Sequence, residues 1–183
     1  MDISEIKKHW TDQAIKHGAD PAASWSDVYA IELEISRISR RLSDGDIVVD
    51  LGCSNGYSTI QYALRSRIDI LGIDYIPEMI ASATERLAKH SGKIRGNVEF
   101  RVGDVAALDG YRGFDKAIMT RVLINLGDWN NQANALRKIA NMLKPGGLLL
   151  MSEATRGGLG PSQQVSRRIW IRASPSASIQ QLY

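Results

Sequence analysis

Three acids stand at equivalent places in this sequence. Asp50 ends the run "IVVD" (47–50), Asp74 ends "ILGID" (70–74) and Asp104 follows "FRVG" (100–103). These runs are short and rich in β-branched residues, as buried strands are. A packed apolar core has no use for a carboxylate where a strand ends, so three in matching positions point to a polar ligand. Directly after Asp50 comes Leu51-Gly52-Cys53-Ser54-Asn55-Gly56, a stretch with little side-chain bulk. Glycine there permits positive φ and lets a ligand come close to the backbone. A helix starting near Tyr57 would aim its free N–H groups at the same place. Asp74 lies 24 residues after Asp50, near the ~20-residue spacing at which a second-strand acid meets a ribose. It would accept from both ribose hydroxyls and repel a 2′-phosphate. Asp104 can accept from an exocyclic amine such as adenine N6. The chemistry suits an adenosine that carries something small and polar.

The elements that must position these acids follow from the apolar spacing. "DISEIKKHWTDQAIKHG" predicts a helix with Ile3, Ile6, Trp10 and Ile15 on one face and Gly18 as its stop. "WSDVYAIELEISRISRRL" predicts a second, with Val28, Ile31, Leu33, Ile35, Ile38 and Leu42 forming a broad apolar face. From "DIVVDLG" onward strands and helices alternate. "YSTIQYALRS" is helical, "IDILGID" a strand, and Pro77 opens the helix "PEMIASATERLAKH". "VEFRVGD" and "FDKAIMTRV" are strands, "NNQANALRKIANML" a helix ended by "KPGG", and "LLLMSEA" a fifth strand. This order predicts an α/β fold, Rossmann-like and doubly wound around a mainly parallel sheet. In such sheets ligands bind beyond the carboxyl ends of the strands, where strand order reverses. Thr120 and Arg121, at the end of strand four, join the site on that ground. The expected organisation is a helical cap over 1–43, a binding core over 44–155 and a short basic tail over 156–183.

Five segments, "VVDLGCSNGYST", "ILGIDYIPEMI", "VEFRVGDVAALD", "FDKAIMTRVLINLGDW" and "MLKPGGLLLMSEA", together resemble class I S-adenosylmethionine-dependent methyltransferases, in order and at ordinary spacing. The resemblance covers about residues 45–155. It implies that Asp50, Gly52, Cys53 and Gly56 line the methionine part of S-adenosylmethionine, with S-adenosylhomocysteine as product. It places Asp74 on the ribose, Tyr75 and Met79 near ribose and adenine, and Asp104 and Val105 on the adenine. Thr120 and Arg121 would face the methionine moiety and the substrate entrance. Ser54 stands where the family usually has a middle glycine, which leaves the path of the loop open. Looser likeness at the N-terminus, to bacterial enzymes of small-molecule or surface-sugar biosynthesis, implies O-methylation of a small or sugar-like acceptor.

Composition narrows the field further. The chain has 183 residues, 44% hydrophobic content, one cysteine and a formal charge of +3. No internal disulfide or multi-cysteine zinc site can form, and no acid-rich metal site is evident. No apolar run of about 18 residues exists to span a membrane, so the expected location is the cytoplasm. Basic and acidic residues balance over 1–150, and the excess lies in Arg156, Arg167, Arg168 and Arg172 against Glu153. That neutral body argues against a nucleic-acid partner. A dinucleotide site wants Gly-x-Gly-x-x-Gly, which Gly52 and Gly56 do not supply. Cys53, without a basic neighbour in sequence, reads as a small residue for fit rather than a nucleophile. His9, His17 and His90 read as surface histidines. Trp10 and Trp25 read first as packing residues, with a role in a lid over the cofactor as the alternative. No catalytic base is identifiable.

The end of the chain departs from the resemblance. Family members continue past strand five with a helix and two more strands, and "TRGGLGPSQQVSRRIWIRASPSASIQQLY" is short for that. The last two strands are therefore expected to be missing, leaving strand five at an open edge through which the chain could pair as a homodimer. A natural short form, a truncation and a reading-frame shift are the competing explanations. With suitable codons "WIRASPSASIQQLY" reads one base over as a Pro- and aromatic-bearing segment. The alternative to an active enzyme is a cofactor-binding fragment or pseudoenzyme without turnover.

Overall fold

The computed structural model describes residues 3–153 and, beyond them, the segments 159–160, 163–164, 167–172 and 180–182. Strands β1 (Ile47–Leu51), β2 (Asp69–Asp74), β3 (Asn97–Val102), β4 (Phe114–Thr120) and β5 (Leu143–Glu153) form a parallel sheet in the order β3-β2-β1-β4-β5. Strand order reverses between β1 and β4, which makes their carboxyl ends the switch point. β1 lies at the centre of the sheet, between β2 and β4. Val48 and Asp50 face one layer of helices while Val49 and Leu51 face the other, and all four are buried.

Helices α2 (Val28–Ser39) and α3 (Tyr57–Arg65) cover the first face. There Ile31, Ile35, Ile38 and Leu42 pack with Tyr62 and Ala63 against Val48, Ile70, Ile118 and Leu150. Spacing of four, three and four residues keeps that stripe on one side of α2. Ile31, Ile35 and Ile38 are at most 2% exposed, so each contributes roughly 1.5–3 kcal/mol of burial. Helix α4 (Pro77–His90) starts on its proline as expected. The opposite face is covered by α5 (Trp129–Met142), whose Ala135, Ile139 and Met142 meet Val49, Ala117, Met119, Leu149 and Met151. Asp27 and Asp128 cap α2 and α5 by accepting from Ala30 N at 3.0 Å and Asn131 N at 2.9 Å.

The cap differs in detail from its expected faces. Helix α1 (Ile3–His17) stops at Gly18, which takes φ +50. Ile6 and Ala14 are its buried residues, while Ile15 is exposed, as are Val28 and Leu33 of α2. Leu33 lies two residues from both Ile31 and Ile35, about 200° around the helix from each, and no second layer meets it.

The edge of the sheet also needs correcting. The last two strands were expected to be missing, yet Leu148–Glu153 of β5 pairs antiparallel with Arg167–Arg172, which pairs antiparallel with Gln180–Leu182. Strand five thus has an edge partner within the chain, supplied by a simple meander. A two-residue pairing, Leu159–Gly160 with Gln163–Gln164, lies outside this sheet. No helix among the described residues is long and apolar enough to cross a membrane.

Candidate functional site

A cavity of about 550 Å³ opens beyond the carboxyl ends of β1, β2, β3 and β4. Its floor is the loop after β1, and α1 covers it through Ile6, Lys7 and Trp10. The loop is pinned over β2, because Gly52 N and Cys53 N both donate to Ile73 O, at 2.8 and 3.1 Å. Gly52, Ser54 and Gly56 all take positive φ, at +72, +50 and +70. The family's usual middle glycine is thus missed at a left-handed residue, and Ser54 holds that conformation while its hydroxyl donates to Met79 Sδ at 3.3 Å. The two glycines also make room for neighbours. A Cβ on Gly52 would stand 2.4 Å from Val122 Cγ2, and one on Gly56 2.7 Å from the Phe100 ring.

The acids are held differently from one another. Asp50 is 3% exposed and accepts from Thr59 Oγ1 at 2.6 Å. Burial pushes its carboxyl up to about 7, offset in part by that hydrogen bond and reinforced by the charge of Asp74. Asp74 accepts from Ser54 N at 2.9 Å through one oxygen and from Ile76 N at 3.0 Å through the other. Burial raises it as well, against the pull of these backbone donors. Each of its oxygens keeps acceptor capacity toward the cavity. Asp104 is exposed and caps the turn after β3, accepting from Ala106 N at 2.8 Å. Tyr75 lines the cavity, its phenol raised to about 12 by burial and by the two acids beside it, and its buried hydroxyl has no partner among the described residues. Cys53 is buried, and desolvation followed by the charges of Asp74 and Asp50 drives its thiol well up, which suits a packing residue and not a nucleophile.

The far wall comes from the turn after β4. Arg121 has φ +57, and its backbone N–H donates to Ser152 O at 2.8 Å. Its guanidinium pairs with Glu34 of α2 and lies 4.4 Å above the Trp25 ring. Glu34 also accepts from Ser152 Oγ at 2.9 Å. A second buried acid, Glu153, accepts from Val122 N at 2.7 Å and Leu123 N at 2.9 Å through one oxygen, while its other oxygen is unpartnered. Burial raises its carboxyl. Arg121 therefore borders the cavity with its charge already held by the cap.

Ten of the eleven residues read from the sequence line this one cavity: Asp50, Gly52, Cys53, Asp74, Tyr75, Met79, Asp104, Val105, Thr120 and Arg121. Gly56 does not, and its place is at the start of α3 against Phe100 and Ala83. Lys7, Asn125 and Asn131 also line it and were not read from the sequence; Trp10, read as a packing residue with a lid role as the alternative, lines it too. Trp10 Nε1 donates to Asn125 Oδ1 at 3.3 Å across 115 residues, a pairing with no local signal. Glu34 did carry a signal, as an acid within the buried stripe of α2. Asn55 was equally legible as a buried amide in the loop; its Nδ2 donates to Gly18 O at 2.9 Å and Asp20 O at 2.7 Å. Among the described residues no cluster of metal-binding side chains occurs.

A strand-end acid on a glycine-bearing loop at the switch point of a parallel sheet is a nucleotide-type site, and the comparisons make the class specific. The model of the methyltransferase domain family matches residues 42–168, and the chain belongs to that family. Arsenite methyltransferase of Halobacterium salinarum is 26% identical over 148 residues, 79% of this chain and 37% of that protein. Phosphoethanolamine N-methyltransferase 1 of Haemonchus contortus, solved with phosphoethanolamine and S-adenosylhomocysteine, is similar with a TM-score of 0.72 at 20% identity, over 90% of this chain and 35% of that one. A SAM-dependent methyltransferase of Thiobacillus denitrificans, solved with S-adenosylhomocysteine, has a TM-score of 0.54 at 26% identity, over 66% and 48% of the two chains. The chain spans about half the length of these relatives or less.

Proposed function

We propose that the chain binds S-adenosylmethionine in the cavity described above and is a methyltransferase acting on an oxygen of a small-molecule acceptor. One observation carries this reading: three strand-end acids and the pinned loop converge on a single cavity in a chain of the methyltransferase domain family. The residues fit the cofactor. Asp74 faces the cavity with unused acceptor capacity for a ribose diol, and Tyr75 offers a buried hydroxyl that lacks a partner among the described residues. Asp104 and Val105 are placed for an adenine. Asp50, Gly52 and Cys53 are placed for the methionine part, and Met79 packs beneath Ser54.

The bound cofactor supplies an electrophilic methyl on a sulfonium, and the protein supplies alignment and exclusion of water. The apolar wall of Ile6, Trp10, Val122 and Leu126 keeps water out and favours an acceptor with an apolar body over a sugar. Thr120, at the end of β4, adds a hydroxyl to the lining. Arg121, tied to Glu34, holds the wall and does not reach for the ligand. Gly56 supports the loop through packing.

Calorimetric titration with S-adenosylmethionine and S-adenosylhomocysteine tests the reading, beside an Asp74→Ala variant. Micromolar binding by the parent and a loss of about tenfold or more in the variant are expected, since a charge-assisted hydrogen bond contributes about 1.5–3 kcal/mol. A folded parent that binds neither compound would refute it.

A further inference from the structure

The acceptor side of the cavity has a composition of its own. Its walls are Ile6, Lys7 and Trp10 of α1 with Val122 and Leu126 from the β4–α5 connection and Asn131 of α5. Most polar groups nearby are already engaged. Trp10 Nε1 donates to Asn125, Asn125 Nδ2 donates to Arg121 O at 2.9 Å, and the Arg121 guanidinium is paired with Glu34. Lys7, an exposed side chain, is the cation of this wall with no partner among the described residues.

This half of the cavity also lacks a base among the described residues. A general base must come within about 2.6–3.2 Å of the proton it takes. The carboxylates that line the cavity are Asp50, Asp74 and Asp104, all on the side of the strand ends and each already accepting a hydrogen bond. No histidine among the described residues lines it; His9 packs against the Trp10 ring with centroids 5.1 Å apart, and His90 is bonded to Arg86 O. Beyond Glu153 the sequence contains no Asp, Glu, His or Lys. An aliphatic hydroxyl, protonated at neutral pH, would find no base for its proton among the described residues on this side of the cavity.

We propose that the acceptor is a small acid with an apolar body, methylated on an oxyanion that is ionised before it binds, and that Lys7 receives its negative charge. This rests on the methyl-transfer reading above. The oxyanion attacks the methyl carbon, the carbon–sulfur bond breaks with its electron pair returning to sulfur, and a neutral ester or aryl ether leaves; no proton moves. Lys7 then has two effects. It concentrates the anion at the cavity, and it disfavours amine acceptors that carry a positive charge.

The test uses benzoate and benzyl alcohol, which share a ring and differ in whether the oxygen is ionised. With the protein saturated with S-adenosylhomocysteine, equilibrium dialysis should show benzoate binding about tenfold tighter than the alcohol, the effect of one nearby opposite charge. Lys7→Met should remove that preference and Lys7→Arg should restore it. With S-adenosylmethionine, methyl benzoate should form and methyl benzyl ether should not. A preference below about threefold, including no binding of either probe, overturns the proposal, as does a preference that survives in Lys7→Met or formation of the ether. Calorimetry of S-adenosylhomocysteine with the same protein separates the two readings. If it binds and the anion preference is absent, only the acceptor class falls; if it does not bind, the methyl-transfer reading falls first.

Discussion

Truncating Arg121 to alanine should destabilise the protein by about 3–5 kcal/mol, because it leaves Glu34 charged and buried with only Ser152 for company. The pair's side chains are 12% and 8% exposed, so solvent screens little of this loss. The contact with the Trp25 ring goes as well. Backbone geometry supplies an internal control. Arg121 has φ +57, a conformation that costs a residue with a Cβ roughly 1–2 kcal/mol and glycine little. Arg121→Gly should therefore be about 1 kcal/mol less damaging than Arg121→Ala, although both delete the guanidinium. Urea unfolding at constant m-value measures each. In a cycle with Glu34→Gln, the double variant should recover at least about 1 kcal/mol relative to the sum of the singles. A loss below about 1 kcal/mol for Arg121→Ala, or strict additivity in the cycle, would show that the guanidinium is solvated and that the cap is not tied to β4 in this way.

Two further outcomes follow from the loop and its acids. Asp50 has a folded pKa of about 7 against an ordinary 3.8, so the folded state holds a proton that the unfolded chain has released. Stability from this group is complete below about pH 4 and is lost as pH rises to about 7, at up to about 1.4 kcal/mol per pH unit. Asp50→Asn should flatten that part of the stability–pH curve in the ligand-free protein, and an unchanged curve would mean that Asp50 is not the group responsible. Ser54→Gly should raise the melting temperature, because the positive φ of Ser54 costs roughly 1 kcal/mol; a lowered melting temperature would mean that its hydroxyl contact to Met79 outweighs the backbone strain.

The parallel core was legible because its signals are local. β-branched runs, Pro77 at a helix start and acids at strand ends each need only a few neighbouring residues to be seen. The cap was legible as helices but not as faces. Ile15, Val28 and Leu33 are apolar by type, yet the side on which a helix is buried depends on what packs over it, and these three stay exposed among the described residues. The edge pairing was missed for a related reason: "RRIWIR" has only three consecutive apolar residues, and what makes it a strand is the partner it finds in β5. Within the site, Asp50, Asp74 and Asp104 announced themselves by position. Lys7 did not, since an amphipathic helix gives no hint of which cavity it will cover, and Trp10 was legible only as a packing residue or a lid. Gly56 was assigned to the ligand because glycine suits both close approach and close packing, and only the location of the Phe100 ring tells these apart.

Asn55 joins two parts of the molecule that have separate tasks. It belongs to the loop that floors the cavity, yet both of its bonds to the cap go to the carbonyls of Gly18 and Asp20, and Arg86 adds a third to Ala19. The C-terminal end of α1 is thus fixed to the floor, whereas Lys7 lies 11 residues back toward the other end, about 16 Å along the helix. Between them Trp10 donates to Asn125 at 3.3 Å, and Trp10 and Ala14 pack with Tyr75, Ile76 and Met79. The covering helix and the floor of the cavity therefore share one anchor, so a change at Asn55 would loosen both at once, and the loop beneath the ligand cannot shift without drawing the end of α1 with it.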